Sequence, residues 1–307
     1  MKTKEITIDE NQYNGLFNLN LTINSGQTSQ PPLKKINDNT YQEILLINNH
    51  PVLTSIQQEK QQLNITYSAQ YNINEEELLE KIYYMFDLDY DLKKLYKTLK
   101  KDKKLVETIE YNKGLRLYKA QNPYECIISS ISSANNSIKR WTQSINKLRH
   151  QSDKKYNILN NTYYLFPTKE QILKLGKNKL EEAGLGYRTP YILETTKMLQ
   201  DTDLDKKINK EDYQTSYKKL LELKGVGSKV ADCILLYGYG KHEAYPVDVW
   251  INRITTYLYF ENKKQTNTKI RNFAMKRFEK TAGYTQLYLF NYARKSGLDK
   301  KIKKLIE

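Results

Sequence analysis

Residues 220–233 read LLELKGVGSKVADC, and this stretch decides the fold. Leucines at helical spacing come first, so an amphipathic helix is expected to end near Leu223. Gly225 and Gly227 allow positive φ angles and let another backbone approach closely, which predicts a tight hairpin. The run that begins at Ser228 predicts a second helix directly after this turn.

The predicted hairpin has the features of a phosphate site. The free N–H groups of Gly225, Val226 and Gly227 and the positive end of the second helix favour an anion. Such a turn binds one DNA strand through its backbone and reads no bases. A Gly-x-Gly turn also occurs as a simple helix–helix connection. The leucines before it and the Lys-Val-Ala-Asp sequence after it favour DNA binding.

Lys229 lies in the first turn of the second helix, where the helix dipole disfavours a cation. Burial and a positive local potential both favour the neutral form of a lysine amine, which is the form that acts as a nucleophile. The alternative is a solvated lysine that contacts a phosphate. Charge considerations alone favour that alternative.

A second segment, AYPVDVWINRI at residues 244–254, favours the nucleophile. Pro246 and Asp248 are typical of a helix start, with Asp248 at or near the N-cap. Its carboxylate could face Lys229 across the hairpin, stabilise a cationic sugar and assist proton movement. The alternative for Asp248 is a helix cap and nothing more.

Charge is unevenly distributed along the 307 residues. The chain carries 50 Lys and Arg against 35 Asp and Glu, a formal net charge of +15. Residues 1–115 hold 14 basic and 16 acidic side chains, so the excess lies entirely in residues 116–307. A basic domain beside a near-neutral one is typical of a nucleic-acid-binding protein. A solubilising, lysine-rich surface is the alternative.

Composition excludes several classes of protein. No apolar run approaches 20 residues and the mean hydropathy is −0.76, which excludes a membrane span. The N-terminus lacks a secretory apolar region. Two cysteines, Cys126 and Cys233, exclude a disulfide framework and a four-cysteine metal site within this chain. The three histidines are scattered along the chain, so we expect no metal site. We also expect no membrane partner. The protein is expected to be a monomer in the cytoplasm, associated with the nucleoid if its source is a prokaryote.

Hydrophobic patterning predicts an α+β protein. We expect an N-terminal antiparallel β-sheet domain with flanking helices over residues 1–115 and an all-helical domain over residues 116–307. Strands are predicted at residues 17–23, 41–47 and 62–67, with a turn at 48–51 and a helical period from residue 75 onward. Helices are predicted near residues 123–133, 137–150, 168–177, 190–199, 213–223, 227–237, 248–258, 267–280, 284–295 and 298–306.

Residues 225–233 (GVGSKVADC) and 246–249 (PVDV) together resemble the 8-oxoguanine DNA glycosylase/AP lyases of the helix–hairpin–helix superfamily. Further segments match in the family's order. Residues 25–27 resemble its pocket-forming turn, and residues 122–129 resemble its first core helix. Residues 133–138 resemble its Asn-rich loop, residues 184–188 its strand-wedging loop, and residues 283–290 its base-pocket helix. The resemblance implies an enzyme that flips 8-oxoguanine out of duplex DNA, cleaves the glycosidic bond and then cuts the strand by β-elimination.

The resemblance also implies roles for single residues. Lys229 matches the nucleophile that attacks the deoxyribose C1′ and forms a Schiff base, and Asp248 matches the catalytic carboxylate. Gly26 matches the glycine whose carbonyl senses the N7 proton that 8-oxoguanine has and guanine lacks. The remaining pocket residues would sandwich the base (Phe290, Cys233), bond its Watson–Crick edge (Gln286) and complete the pocket (Pro246).

A third set of residues would hold the duplex open. Asn135, Arg140 and Arg188 match contacts to the cytosine left behind, and Tyr187 matches the wedge. Flipping costs a few kcal/mol, and stacking on an aromatic returns roughly 1–3 kcal/mol. The chain has Trp250 where many members have a histidine that contacts a phosphate.

Covalent catalysis by an amine requires no cofactor, although the hairpin carbonyls of Leu221, Leu223 and Val226 could hold a monovalent cation. Two other functions remain open. A glycosylase for another damaged base is one, but the endonuclease III branch usually carries a four-cysteine cluster and alkyl-adenine branches commonly lack the lysine. A non-catalytic DNA-binding module is the other, although such a module needs neither Lys229 nor Asp248.

Overall fold

The computed structural model describes residues 2–159, 161–200 and 202–298. Its N-terminal part is an antiparallel sheet. The strands are β1 (Lys2–Ile8), β2 (Lys34–Lys35), β3 (Thr40–Ile47), β4 (His50–Glu59) and β5 (Gln62–Ala69). They pair in the order β1-β5-β4-β3-β2, which confirms the predicted sheet.

The strands predicted at 41–47 and 62–67 are confirmed as β3 and β5. Asn48 and Asn49 both have positive φ, 50° and 65°, and join β3 to β4 in a two-residue turn. Such turns match the right-handed twist of paired strands. One face of the sheet packs on helix α2, Glu75–Phe86, whose buried side chains include Ile82 and Phe86.

The strand predicted at residues 17–23 is wrong, because helix α1 (Leu19–Ile23) occupies this segment. Asn18 caps the helix, since its Oδ1 accepts a hydrogen bond of 2.8 Å from the backbone N–H of Leu21. The apolar residues that alternate along the segment also include an i,i+4 pair, Leu19 and Ile23, and both are buried. A short apolar pattern of this kind fits the helical period as well as the strand period.

The rest of the described chain is mostly helical, as predicted. Helices α3 (Leu92–Leu99) and α4 (Val106–Tyr111) lead into the second domain. Its helices are α5 (Pro123–Ser133), α6 (Ile138–His150), α7 (Lys169–Glu182), α8 (Thr189–Gln200), α9 (Leu204–Lys210), α10 (Tyr213–Leu221), α11 (Ser228–Tyr239), α12 (Val249–Tyr259), α13 (Asn267–Phe278) and α14 (Ala282–Lys295). The helix predicted at 298–306 lies almost wholly outside the described residues. No helix in the described ranges is long and apolar enough to cross a bilayer.

The second domain is not entirely helical, which corrects the prediction. Strands β6 (Lys155–Ile158) and β7 (Asn161–Tyr164) form a small antiparallel hairpin within it. Ile158 and Leu165 pack with Ile44 of the N-terminal sheet. Each strand has four residues and few apolar side chains, too short a pattern to show a strand period.

Buried polar contacts join the two domains. Asp87, at the end of α2, accepts hydrogen bonds from Lys119 (2.7 Å), His242 Nε2 (2.9 Å) and Tyr284 (2.9 Å). Burial opposes ionisation, but the hydrogen bond from His242 and the charge of Lys119 hold the pKa of Asp87 well below its usual range. Removing one partner of such a buried pair is strongly destabilising, so this cluster holds α14 against the N-terminal domain.

Candidate active site

The hairpin between α10 and α11 has the predicted form. Gly225 has φ +75°, and a Cβ there would lie 2.7 Å from Cβ of Tyr191, so only glycine fits. Val226 is buried and anchors the turn, whereas Gly227 is exposed at the N-cap of α11. Because Gly227 has no side chain to cap the helix, the first N–H groups of α11 can meet an incoming phosphate.

Lys229 lies in the first turn of α11 with a partly buried side chain. Its Nζ donates a hydrogen bond of 3.3 Å to Oγ of Ser133, the last residue of α5. Cys233 lies one turn further along α11 and is buried. Burial raises the pKa of the Cys233 thiol, and the charge of Lys229 opposes this shift. The amine therefore lies beside the thiol, with a neutral hydroxyl as its hydrogen-bond partner.

Asp248 is the N-cap of α12, as predicted, and its Oδ1 accepts a hydrogen bond of 2.8 Å from the N–H of Ile251. Burial raises the pKa of Asp248, while the Ile251 N–H and the charges of Lys229 and Arg294 oppose the rise. Asp248 thus caps a helix and also lies close enough to Lys229 to interact with its charge. The two interpretations of this residue are compatible.

Helix α14 brings three of the predicted pocket residues together. Gln286 and Phe290 lie one turn apart on its surface. The Gln286 amide is buried and donates to the Pro246 carbonyl (3.2 Å), while its Oε1 accepts from Tyr237 (3.3 Å). Phe290 is partly exposed, so its ring is accessible to a stacking partner.

Gly26 reaches the same region from the N-terminal domain, at φ +84°. A Cβ at this position would lie 2.5 Å from Arg294 Nη1 and from Ile138 Cδ1, so a larger residue would be both strained and obstructed. Arg294 also lies over the ring of Phe290, 4.8 Å from its centroid. The structure therefore places Gly26 and Phe290 against one guanidinium.

The four residues predicted to contact the opposite strand form one surface. Asn135, in a left-handed turn, and Arg140, in the first turn of α6, are exposed. With Tyr187 and Arg188 they line a cleft of about 400 Å³. Tyr187 is 57% exposed, which suits a side chain that enters a duplex.

Arg188 is buried in the free protein. Its Nε donates to the Ala134 carbonyl (2.9 Å) and its Nη2 to the Asn135 carbonyl (3.1 Å), and its guanidinium lies 4.3 Å from the Tyr187 ring centroid. These contacts fix the Asn135 loop to the Tyr187 turn. A contact from Arg188 to a base would use donors now shared with these carbonyls.

Two residues of this region, Ser133 and Arg294, were not predicted. Ser133 lies at the start of the segment that resembles the Asn-rich loop, and no residue pattern distinguishes it. Arg294 had a usable signal, because Gln286, Phe290 and Arg294 follow each other at i, i+4 and i+8 on one helix. Extending the predicted pocket face by one turn would have included it.

Family models and relatives agree with this architecture. Residues 6–127 match the 8-oxoguanine DNA glycosylase N-terminal domain, and residues 128–280 match the HhH-GPD superfamily of base excision DNA repair proteins. A probable N-glycosylase/DNA lyase of Methanothermobacter thermautotrophicus is 38% identical over 92% of this chain and 96% of its own length. The N-glycosylase/DNA lyase of Saccharomyces cerevisiae is 34% identical over 59% of this chain and 51% of its own.

A solved structure extends the similarity to the whole fold. The 8-oxoguanine glycosylase/lyase of Clostridium acetobutylicum, in complex with double-stranded DNA containing cytosine opposite 8-oxoguanine, superposes with a TM-score of 0.83. It covers 97% of this chain and 99% of its own, at 27% identity. With both family models in order, a full-length relative and a shared fold, this chain belongs to the 8-oxoguanine DNA glycosylase family of N-glycosylase/DNA lyases.

Proposed function

We propose that this protein removes 8-oxoguanine from duplex DNA and then cleaves the strand at the resulting site. The observation that supports this most is the position of Lys229 in the first turn of α11, within the electrostatic reach of Asp248. A nucleophile, a carboxylate and a phosphate-binding turn then lie within one site.

The chemistry follows from these groups. The amine of Lys229, in its unprotonated form, attacks C1′ while the bond from C1′ to the base breaks, and the base leaves with the bonding electron pair and takes up a proton from water. Asp248 stabilises the positive charge that develops on the sugar and accepts a proton from the amine. Ring opening yields a Schiff base. Loss of a C2′ proton then expels the 3′ phosphate, which cleaves the strand.

The remaining residues hold the nucleotide out of the stack. Phe290 and Cys233 sandwich the base, Gln286 binds its Watson–Crick edge beside Pro246, and the carbonyl of Gly26 accepts the N7 proton. Guanine would leave that carbonyl unpaired. A single proton can therefore account for a large preference for 8-oxoguanine over guanine. In the opposite strand, Tyr187 fills the gap while Asn135, Arg140 and Arg188 offer donors to the orphaned cytosine, whose O2 and N3 are acceptors.

We expect single-turnover excision of 8-oxoguanine to be fastest opposite cytosine, by about tenfold or more, because each lost hydrogen bond to a charged donor costs about 1.5–3 kcal/mol. The measurement uses duplexes with each of the four opposite bases.

A parallel panel with alkylated adenine and oxidised pyrimidine tests the alternative of another lesion. Equal rates across that panel would contradict the proposed substrate. Tight binding of undamaged duplex without any cleavage would favour a non-catalytic module.

The excision rate should fall on acidification through a pKa that is higher than that of an ordinary aspartate. Burial raises the pKa of Asp248, and the carboxylate is the form that stabilises a cation, so the rate declines as pH decreases through this raised value. Single-turnover rates measured across the acidic range, with Asp248→Asn as the reference that lacks this group, test the assignment. A decline seen only at the pH of an ordinary aspartate would contradict it.

The proposal includes no required cofactor. The carbonyls of Leu221, Leu223 and Val226 would hold a monovalent cation at the hairpin, so replacing K⁺ by a bulky organic cation at constant ionic strength should weaken binding to duplex DNA. We further propose that the protein acts as a monomer in the cytoplasm, associated with the nucleoid if its source is a prokaryote.

A further inference from the structure

The turn at residues 24–26 is held from the other domain by the last turn of α14. Arg294 Nη1 donates a hydrogen bond of 2.7 Å to the carbonyl of Ser25. Lys295 Nζ donates one of 3.1 Å to the carbonyl of Asn24. Two consecutive cations therefore bind two consecutive carbonyls, and the next carbonyl along the chain belongs to Gly26.

Further hydrogen bonds, within residues 22–27 and to the backbone of Tyr118, hold the same turn from its other side. Ser25 Oγ donates to the carbonyl of Thr22 (2.7 Å), and Gln27 Nε2 donates to Ser25 Oγ (2.9 Å). The Oε1 of Gln27 accepts from the backbone N–H of Tyr118 (2.8 Å). Gly26 itself is the flexible position, because it has no side chain to restrict its rotation. The orientation of its carbonyl depends on how firmly its two neighbours are held.

Arg294 is well suited to hold such a turn. Its guanidinium lies over the ring of Phe290, with Cζ 4.8 Å from the ring centroid, and it is mostly buried. A planar guanidinium that is stacked on an aromatic ring loses little further freedom when it makes a hydrogen bond. Burial also removes competing water, which strengthens a charged hydrogen bond. Lys295, in contrast, is exposed.

We propose that Arg294 is a positioning residue for lesion recognition. It fixes the peptide that joins Ser25 to Gly26, so that the Gly26 carbonyl is presented to the N7 edge of the flipped base. This inference rests on the proposed function, which assigns the reading of the N7 proton to that carbonyl.

The physical reason is that a carbonyl discriminates only if it is held in place. A fixed, dehydrated carbonyl gains a hydrogen bond from the N7–H of 8-oxoguanine and is left unpaired by a base without this donor. A carbonyl that can rotate escapes the penalty by turning toward water. Loss of the Arg294 contact should therefore weaken binding of the correct base and remove the penalty on a base without the donor, so that the ratio of the two affinities falls.

The test compares two lesions of the same shape in the Lys229→Gln background, which is expected to bind duplex without cleaving it. One duplex contains 8-oxoguanine, and the other contains 7-deaza-8-oxoguanine, in which a carbon replaces N7 and removes the N–H donor. Arg294→Met keeps an unbranched side chain against Phe290 but removes the donors. We expect it to lower the ratio of the two affinities about tenfold, because the 8-oxoguanine duplex binds more weakly and the other duplex does not.

Lys295→Met is the matched control, because it removes the neighbouring exposed contact and should change the ratio of the two affinities little. Arg294→Lys, which keeps one donor, should recover part of the ratio. Thermal unfolding of each variant reports whether the fold is retained.

Other outcomes would overturn the inference. An equal loss for both duplexes would mean that Arg294 contacts the DNA backbone. An equal gain would mean that it occupies the base pocket. An unchanged ratio would show that the turn is held without it. The proposed function fails separately: if the unsubstituted protein does not excise 8-oxoguanine, or if the Lys229→Gln protein binds the two duplexes equally, base reading by Gly26 is wrong whatever Arg294 does.

Discussion

Lys229→Gln is expected to abolish covalent trapping of the protein on DNA and to reduce base excision by at least about 10³-fold. Borohydride reduces the Schiff base between an amine and the opened sugar, so a stable protein–DNA adduct forms only if an amine of the protein is the nucleophile. Glutamine keeps most of the side-chain length and the contact region beside Ser133 but has no amine. Denaturing electrophoresis after borohydride treatment of the 8-oxoguanine duplex measures the adduct.

Lys224→Gln is the matched control for this experiment. Lys224 is exposed in the same hairpin, five residues before Lys229, and its substitution removes the same charge. It should weaken duplex binding modestly, in a salt-dependent way, and leave trapping intact. If the Lys229→Gln protein still forms the adduct at an undiminished yield, another amine is the nucleophile.

Asp248→Asn is expected to slow excision by about 10²–10³-fold while the melting temperature changes little. Asparagine accepts the same hydrogen bond from the Ile251 N–H, so the cap of α12 survives, but the negative charge near Lys229 is lost. Single-turnover excision and thermal unfolding, measured on the same preparation, separate the two roles. Asp248→Ala would also remove the cap, at a cost of about 1 kcal/mol of stability.

Asp212→Asn provides the comparison, because Asp212 also caps a helix. It accepts hydrogen bonds from the N–H groups of Gln214 and Thr215 at the start of α10. Both asparagine variants should unfold at temperatures close to that of the original protein, and only Asp248→Asn should lose excision. Full activity in Asp248→Asn would leave Asp248 as a helix cap alone.

The sequence predicted the elements of this site that depend on neighbouring residues. The Gly225–Gly227 hairpin follows from two glycines between apolar helical runs, and the cap at Asp248 follows from an acidic residue at the start of such a run. Glycine also marks a helix limit within α7. The backbone of Gly176 is not helical (φ 66°, ψ −174°), so the first helical segment of α7 ends close to the predicted limit at residue 177, and a second segment runs on to Glu182.

Segments whose patterns were ambiguous were predicted wrongly or missed. Residues 17–23 alternate like a strand, yet the Asn18 cap and the burial of Leu19 and Ile23 select one helical turn. The β6–β7 hairpin carries little pattern of its own and depends on packing against the N-terminal sheet. In both cases, burial of apolar side chains against residues outside the segment adds free energy that the local pattern does not show.

By itself, the sequence determined that a β-sheet domain precedes a helical one, that a glycine hairpin joins two helices, and that Asp248 caps a helix. These features rest on glycine, capping and apolar periodicity within short spans of chain. The roles of Lys229 and Asp248 as the reacting pair come from the family resemblance and stay a prediction. Only the tertiary structure decided that Ser133 accepts a hydrogen bond from the amine of Lys229, 96 residues away in the sequence. It also decided that Arg294 donates a hydrogen bond to the Ser25 carbonyl, 269 residues away. Such contacts leave no local pattern, because they exist only when tertiary packing, within the second domain for Ser133 and between the two domains for Arg294, brings dehydrated donors and acceptors together.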